Sequence, residues 1–349
     1  MKSVNNTVSF KEYILKTGTA SVQEYSAEND NYVRKSQLRE IWGRFCKNKI
    51  ALLGLICLLL LIAMALFADV IAPEGYDNQD LYNKFALPSA EHWFGTDNVG
   101  RDIFDRVVHG SRISLTVGMI SVSIAAVVGI LLGSIAGYYG GRTDNIIMRI
   151  LDVIMSFPGI ALAAVLVTIL GNSVPAIIFS IGFMYTPQIA RIVRANIVSE
   201  YGEDYVRAVI VSGARAPWIL MKHVLRNCAA PIMVFTVTLV ADAIIFEASL
   251  TFLSAGIAEP TPTWGNILAD ARAGVLSGRW WQALYPGIAI MLTCLALNIL
   301  SEGITDAMAA APSAPVDTEN SESRREADLL VADPVRAYKE QAESLAARL

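Results

Sequence analysis

Long runs without a charged residue dominate the pattern of polar and apolar positions in this chain of 349 residues. Four of them stand out, at residues 50–68, 113–141, 153–190 and 280–301. A transmembrane helix needs about 20 mostly apolar residues. The runs are continuous, and they lack the alternation that the strands of a transmembrane barrel show. The pattern therefore predicts an all-α membrane protein that crosses the bilayer several times.

The run at 153–190 is too long for one helix, and a turn near its middle divides it. Gly171, Asn172, Ser173 and Pro175 favour a tight break there. With a further apolar stretch in the second half of the chain, the sequence predicts six spans, at 50–70, 113–139, 148–170, 174–195, 229–253 and 281–300. Six spans place both termini on one side of the membrane. A re-entrant run in place of one span is the alternative.

Basic residues are concentrated on one side of the predicted membrane. Those before the first span and between spans four and five are Arg34, Lys35, Arg39, Arg44, Lys47, Lys49, Arg191, Arg194, Arg207, Arg215, Lys222 and Arg226. The segment 72–110, on the other side, is predominantly acidic. Because Lys and Arg are enriched in cytoplasmic loops, we expect both termini to be cytoplasmic.

This topology divides the chain into five parts. We expect a cytoplasmic tail, a first transmembrane helix, an extracytoplasmic segment, a core with five transmembrane helices and a second tail, at 1–47, 48–71, 72–112, 113–308 and 309–349. The core contains a cytoplasmic loop at 196–228. The last part is polar and poor in apolar residues, which predicts that it is largely disordered.

Composition narrows the classes of function. Apolar residues make up 54% of the chain and charged residues 17%, against about 45–50% and 25% in soluble domains. The sequence contains no Gly-Lys dipeptide, and so no Walker A motif, and no H-E-x-x-H or G-x-S-x-G motif. We expect no catalytic residue, no metal site, no cofactor bound by this chain and no nucleic-acid partner.

Two features inside the predicted spans indicate close contacts. Gly129, Gly133 and Gly137 recur at a spacing of four in span two, a pattern typical of tightly packed membrane helices. The stripe serves either this bundle, which we favour, or a partner subunit. Asp242 and Glu247 lie at membrane depth in span five. Because buried charges are costly there, they line a water-filled path or make a polar contact between helices.

The loop between spans four and five is charged and contains two predicted short helices, at 203–210 and 217–225, separated by Gly213. Such a loop is either an anchor at the membrane surface or a projection that docks into a cleft on a soluble partner. Composition does not separate the two.

The same loop resembles the coupling loop of ABC importer permeases, whose pattern is E-A-A-x3-G-x9-I-x-L-P. Ala208, Gly213 and Leu225 match that pattern, whereas Arg207, Val209, His223 and Arg226 depart from it. The run His223, Leu225, Asn227 is similar to the variant in the dipeptide/oligopeptide subfamily.

Further motifs of that subfamily follow in order. They are FGTDNVGRDIF, AGYYGGRTDNIIMRILD, IIFEASLTFLSAG and PTPTWGNIL, at 94–104, 136–152, 244–256 and 260–268. The ending ILSEGITDAMAA departs from the family pattern. Over residues 38–308 the chain resembles the C-type inner-membrane subunit of dipeptide/oligopeptide ABC importers.

The resemblance implies a six-helix permease of the type I ABC importer kind in the prokaryotic inner membrane. It implies a homologous B-type permease subunit, two cytoplasmic ATPase subunits that bind ATP and Mg²⁺, an extracytoplasmic binding protein and a peptide substrate. Nickel, glutathione or another small solute is the alternative cargo. The expected coupling residues are Tyr205, Val206, Ala208, Gly213, Ala214, His223, Leu225 and Asn227.

Two other expectations complete this interpretation. The outer segments would face the binding protein, with Trp93 and Trp264 either docking to it or anchoring the chain at the membrane surface. An ion-driven secondary transporter would show an inverted repeat with broken helices in corresponding positions. We find no such repeat between residues 50–170 and 174–305.

Overall fold

The computed structural model describes residues 37–214 and 216–309, so of the two predicted tails only 37–47 and 309 lie within the described residues. Before Asn48 it describes one helix, α1 (Gln37–Phe45). From Asn48 onward the helices are α2 (Lys49–Leu66), α3 (Ala68–Ile71), α4 (Ile103–Tyr139), α5 (Gly141–Met155), α6 (Gly159–Leu170), α7 (Val174–Tyr201), α8 (Asp204–Val211), α9 (Ala216–Ile219), α10 (Leu225–Phe252), α11 (Trp264–Leu276) and α12 (Trp281–Ala309). A π-helical turn, Leu220–Val224, joins α9 to α10.

Five helical segments are long and apolar enough to cross a membrane. They are Lys49–Leu66, Ile103–Tyr139, Val174–Tyr201, Pro217–Phe252 and Trp281–Met308. Within the described part of the chain there is no β-strand, and a single isolated bridge joins Thr96 and Asp102. The predicted all-helical membrane fold is thereby confirmed.

The predicted third span is not one straight helix. Its residues belong to α5 and α6, whose axes differ by 87°. Pro158 stands directly before α6. Proline has no N–H to donate, and it disfavours helical conformation in the residue before it. The chain therefore has five unbroken candidate spans, or six if the bent pair counts as one.

Span two begins ten residues earlier than predicted, at Ile103. Asp102 caps this helix by accepting a hydrogen bond from the Phe104 N–H at 2.7 Å. The first turns of α4 are polar because they pair with the outer segment and with α2. Arg112 Nε, for example, donates to the Ala65 carbonyl oxygen at 3.0 Å.

The glycine stripe of α4 lies against α7 of the same chain. A Cβ atom at Gly129 would come within 2.8 Å of Ile189, and one at Gly137 within 3.0 Å of Ile197. At Gly133 a Cβ atom would collide with the Ala190 carbonyl oxygen. Because these three positions of α4 carry no side chain, the backbones of α4 and α7 can approach each other closely.

Charged pairs add to this contact at one end of the bundle. Arg194 of α7 pairs with Asp144 of α5, and Arg191 Nη2 lies 2.9 Å from Asp152 Oδ1. The amphipathic helix α5 is thereby attached to α7 rather than extending the bundle as a straight span.

Candidate coupling loop and translocation face

A hydrogen-bonded cluster attaches helix α8 to the ends of α7 and α10. Tyr205 Oη donates to Glu200 Oε1 at 2.6 Å, and Asn227 Nδ2 donates to the same oxygen at 2.9 Å. Asn227 Nδ2 also lies 3.0 Å from Tyr205 Oη. Val206, on the inner face of α8, has no exposed surface. One carboxylate therefore links three elements of the loop.

Tyr205 remains a hydrogen-bond donor at physiological pH. Burial of its phenol, together with the neighbouring Glu200 carboxylate, raises the pKa of Tyr205 to about 12. The structure brings the predicted residues Tyr205 and Asn227 together in this cluster, and it buries the predicted residue Val206 next to Tyr205 on α8. It adds Glu200, which the sequence analysis missed because no pattern marked this residue at the end of α7.

The outer face of the loop is exposed and partly apolar. Val211 is 87% exposed, Met221 67%, Trp218 45% and Ile210 40%. We call these four residues the loop's exposed apolar residues. Ala208 is exposed and Ala214 half-buried. Apolar side chains of this size on the surface of the chain suit both uses considered for the loop, a partner surface and an anchor at the membrane surface.

Gly213 ends the first arm of the loop with a left-handed backbone. Its φ is +80°, and nothing lies within 4 Å of the position a Cβ atom would take. Its N–H donates to the Ile210 carbonyl oxygen at 3.0 Å. Glycine is favoured here because an L side chain is strained at this φ.

The second arm of the loop is continuous with span five. The sequence predicted a separate helix at 217–225, but α9, the π-helical turn and α10 follow one another without a break. Trp218 contacts His223 with ring centroids 4.7 Å apart, and Leu225 is half-buried. Single π-helical turns inside α-helices occur frequently at functional sites. The second arm of the loop and the span therefore form one helical segment.

Glu247 occupies a polar junction between three helices. It has no exposed surface, and its carboxylate accepts hydrogen bonds from Thr251 Oγ1 at 2.9 Å and from Ser114 Oγ at 3.3 Å. The Trp264 N–H donates to Ser114 Oγ at 3.2 Å. Of the two roles considered for this residue, these contacts favour the polar contact between helices.

Trp264 belongs to the same junction. Its side chain has no exposed surface, and its Nε1 donates to the Val107 carbonyl oxygen at 3.0 Å. The expectation that Trp264 docks to a partner or anchors the chain at the membrane surface is therefore wrong. Trp93, by contrast, is 62% exposed.

Asp242, in contrast to the buried Glu247, is exposed. It lies five residues before Glu247 on α10, and its side chain is exposed on the surface of the chain. A charged side chain at the bilayer centre costs about 2.5–3.5 kcal/mol on insertion scales. The face of α10 that carries Asp242 is therefore unsuited to contact with lipid.

A network of charged residues joins the outer segment to α11. Asp97 Oδ2 accepts hydrogen bonds from Arg101 Nε at 2.6 Å and Arg106 Nη1 at 2.7 Å. Arg106 Nη1 also donates to Asp270 Oδ2 at 2.9 Å. Burial raises the pKa of Asp270, and the Arg106 guanidinium opposes that shift. The sequence predicted neither α11 nor this network.

A helical bundle with a folded outer segment and several spans defines a multi-pass membrane protein. Residues 129–311 match the family described as binding-protein-dependent transport system inner membrane component. Residues 36–88 match the N-terminal TM domain of oligopeptide transport permease C. The chain belongs to the first of these families and is a multi-pass inner-membrane permease subunit, which confirms the resemblance expected from its motifs.

Individual relatives are similar over most of their length. The dipeptide transport system permease protein DppC of Alkalihalophilus pseudofirmus is 40% identical over 279 residues, covering 80% of this chain and 91% of the relative. The di/tripeptide transport system permease protein DppC of Pseudomonas aeruginosa is 38% identical over 290 residues, covering 81% and 95%. The glutathione transport system permease protein GsiD of Escherichia coli is 40% identical over 281 residues, covering 79% and 92%.

Proposed function

We propose that this chain is one membrane subunit of an ATP-driven importer that carries di- and oligopeptides into the cytoplasm. A homologous B-type permease subunit completes the translocation path, and two cytoplasmic ATPase subunits bind ATP and Mg²⁺. An extracytoplasmic binding protein delivers the substrate. This chain binds no cofactor and performs no catalysis. Its termini and loop 196–228 face the cytoplasm, in keeping with the basic residues of that loop.

The single observation that carries this proposal is the construction of the loop. Its exposed apolar residues offer a surface to an ATPase subunit, and its second arm continues without a break into span five. A partner that binds the loop differently in two nucleotide states therefore shifts the span between two positions. This is how a chain without a Walker A motif uses ATP.

Peptide is the cargo favoured by the relatives, two of which are named for dipeptide or di/tripeptide transport. A relative of equal identity is named for glutathione, so glutathione is the second candidate. We expect the reconstituted complex with its binding protein to take up leucyl-alanine in preference to glutathione. The opposite preference would replace the cargo and leave the transport mechanism in place.

The substitution Gly213→Glu tests the loop. A side chain at φ +80° is strained, so the first arm cannot keep its shape. We expect ATP-driven uptake to be lost while the protein still inserts into the membrane. Asn tolerates left-handed backbone better than most residues, so Gly213→Asn is the matched control and should retain most of the uptake.

Three measurements accompany both variants: the amount of chain in the membrane fraction, the recovery of ATPase subunits on co-purification, and uptake into proteoliposomes. Normal uptake by Gly213→Glu would refute the assignment of the coupling loop. Uptake by the isolated chain without any ATPase partner would refute the proposed function as a whole.

A further inference from the structure

Asp242 lies at the middle of the predicted span five, 229–253. Ten residues separate it from Phe252 at the end of α10, or about 15 Å at 1.5 Å per residue. This is half the thickness of a hydrocarbon core of about 30 Å. In the described part of the chain, the Asp242 carboxylate has neither a hydrogen bond nor an ion pair. The chain thus exposes an unpaired charge where lipid would be an unfavourable neighbour.

An apolar groove begins one turn from Asp242 on the same face of α10. Its volume is about 380 Å³, and it is lined by Ile245, Ala248, Ser249, Phe252, Leu253, Leu268 and Ile290. Residues 242, 245, 249 and 252 follow the spacing of one helix face. The face therefore combines a negative charge at mid-membrane with an apolar depression that extends towards the Phe252 end.

The other carboxylate of this helix does not contribute to the exposed face. Glu247 has no exposed surface and accepts hydrogen bonds from Ser114 and Thr251. Five residues at 100° each place it about 140° around the helix from Asp242. The exposed face consequently carries a single negative charge.

We propose that this face of α10 lines the translocation path and that the Asp242 carboxylate binds the ammonium group of the passing peptide. The inference rests on the proposed function and specifies its substrate. A peptide with a free amino terminus offers a cation for Asp242 and apolar side chains for the groove. Glutathione also has an ammonium group, but its two carboxylates meet more repulsion from the same charge.

The test uses the complete complex in proteoliposomes with saturating binding protein. Uptake is measured for leucyl-alanine, lysyl-alanine and glutathione in the wild type and in Asp242→Asn, and each probe is compared with itself. Because the binding protein is the same for the wild type and the variant, its preference among the probes does not affect the ratio of their uptake rates. We expect about a tenfold loss for leucyl-alanine, a larger loss for lysyl-alanine with its two ammonium groups, and a smaller loss for glutathione, whose ammonium group is offset by two carboxylates. A purely structural role would lower the uptake of all three probes equally.

Two further variants keep the result interpretable. Asp242→Glu retains the charge and should keep most of the peptide uptake. Met233 is 49% exposed and lies nine residues away, on the opposite side of α10. Met233→Gln therefore controls for a polar substitution in the same helix and should transport like the wild type.

The remaining outcomes overturn the proposal. Wild-type uptake of both peptides by Asp242→Asn would show that the carboxylate does not contact the cargo. Loss of the B-type subunit on co-purification of Asp242→Asn, with Asp242→Glu intact, would assign Asp242 to an ion pair between subunits. Absence of uptake of all three probes by the wild-type complex would instead refute the proposed function itself.

Discussion

Gly133 is the position where α4 and α7 tolerate an added methyl group least. A Cβ atom there would collide with the Ala190 carbonyl oxygen and would lie 2.8 Å from the Val193 Cβ. The first of these neighbours is backbone, so it moves only if the whole helix moves. Overpacking of this kind costs about 1–3 kcal/mol. We therefore expect Gly133→Ala to destabilise the protein by that amount.

The chain offers a matched control in Gly287 of α12, where nothing lies within 4 Å of an added Cβ atom. Because glycine weakens a helix interior, Gly287→Ala should stabilise the protein by roughly 0.5–1 kcal/mol. Gly137→Ala, which meets a side chain at 3.0 Å, should fall between the two. The substitutions thus share the same chemistry and differ only in the space around them.

The measurement is the melting temperature of the purified protein in one detergent. At about 2–4 °C per kcal/mol, Gly133→Ala should melt roughly 2–12 °C below the wild type. Gly287→Ala should melt at or above the wild-type temperature. Equal melting temperatures for Gly133→Ala and Gly287→Ala would refute the close contact between α4 and α7.

Two further predictions concern the polar contacts outside the loop. Glu247→Leu leaves the hydroxyl donors of Ser114 and Thr251 buried without an acceptor, so we expect a loss of about 1–3 kcal/mol. Glu247→Gln keeps an acceptor and should lose less, and an equal fall in melting temperature for both variants would contradict this account. Arg106→Met removes one of the two guanidinium groups that pair with Asp97 and Asp270. Because Arg101 still faces both carboxylates, we expect a cost below the roughly 3–5 kcal/mol of a buried charge left without a partner. Faster proteolysis of the segment 72–102 in Arg106→Met membranes would reveal that loss, and unchanged proteolysis would refute it.

The spans were predictable because a lipid environment requires a property that can be read directly along the sequence. Every helix that crosses the membrane needs a long apolar run, and all five unbroken candidate spans coincide with such runs. The bend between α5 and α6 was missed for the same reason. Pro158 and Gly159 form a turn dipeptide within an apolar run, but the larger cluster of turn residues around Gly171 was taken as the single break in that run.

The outer contacts were not predictable because they join residues far apart in sequence. Arg106 pairs with Asp270 across 164 positions, and helix α11 is buried largely through such distant contacts. Its capping box, in which Thr263 and Asn266 bond reciprocally, was the one local signal that could have marked its start. The stripe of glycines in α4 likewise predicted a close neighbour without identifying α7.

Asp242 and Glu247 show the limit of the sequence most clearly. Both are acidic, both lie in span five, and hydropathy treats them alike. Their spacing places them about 140° apart around the helix, so at most one of them faces the core. Which one does is decided by Ser114 and Trp264, neither of which is near them in sequence.

Under the proposed function, the helical segment that contains span five has three roles: it contacts the ATPase subunit, it contacts the substrate, and it is attached to the rest of the bundle. From Pro217 to Phe252 it runs for 36 residues, or about 54 Å if helical throughout. One end carries the coupling loop, and the other end carries Asp242 and, five residues further on, Glu247, which is fixed to α4 and α11. Since that far end is held, a displacement of the loop by an ATPase subunit tilts the segment about the Glu247 junction. The face with Asp242 lies between the moving end and the fixed end, so it changes position in every cycle of the ATPase.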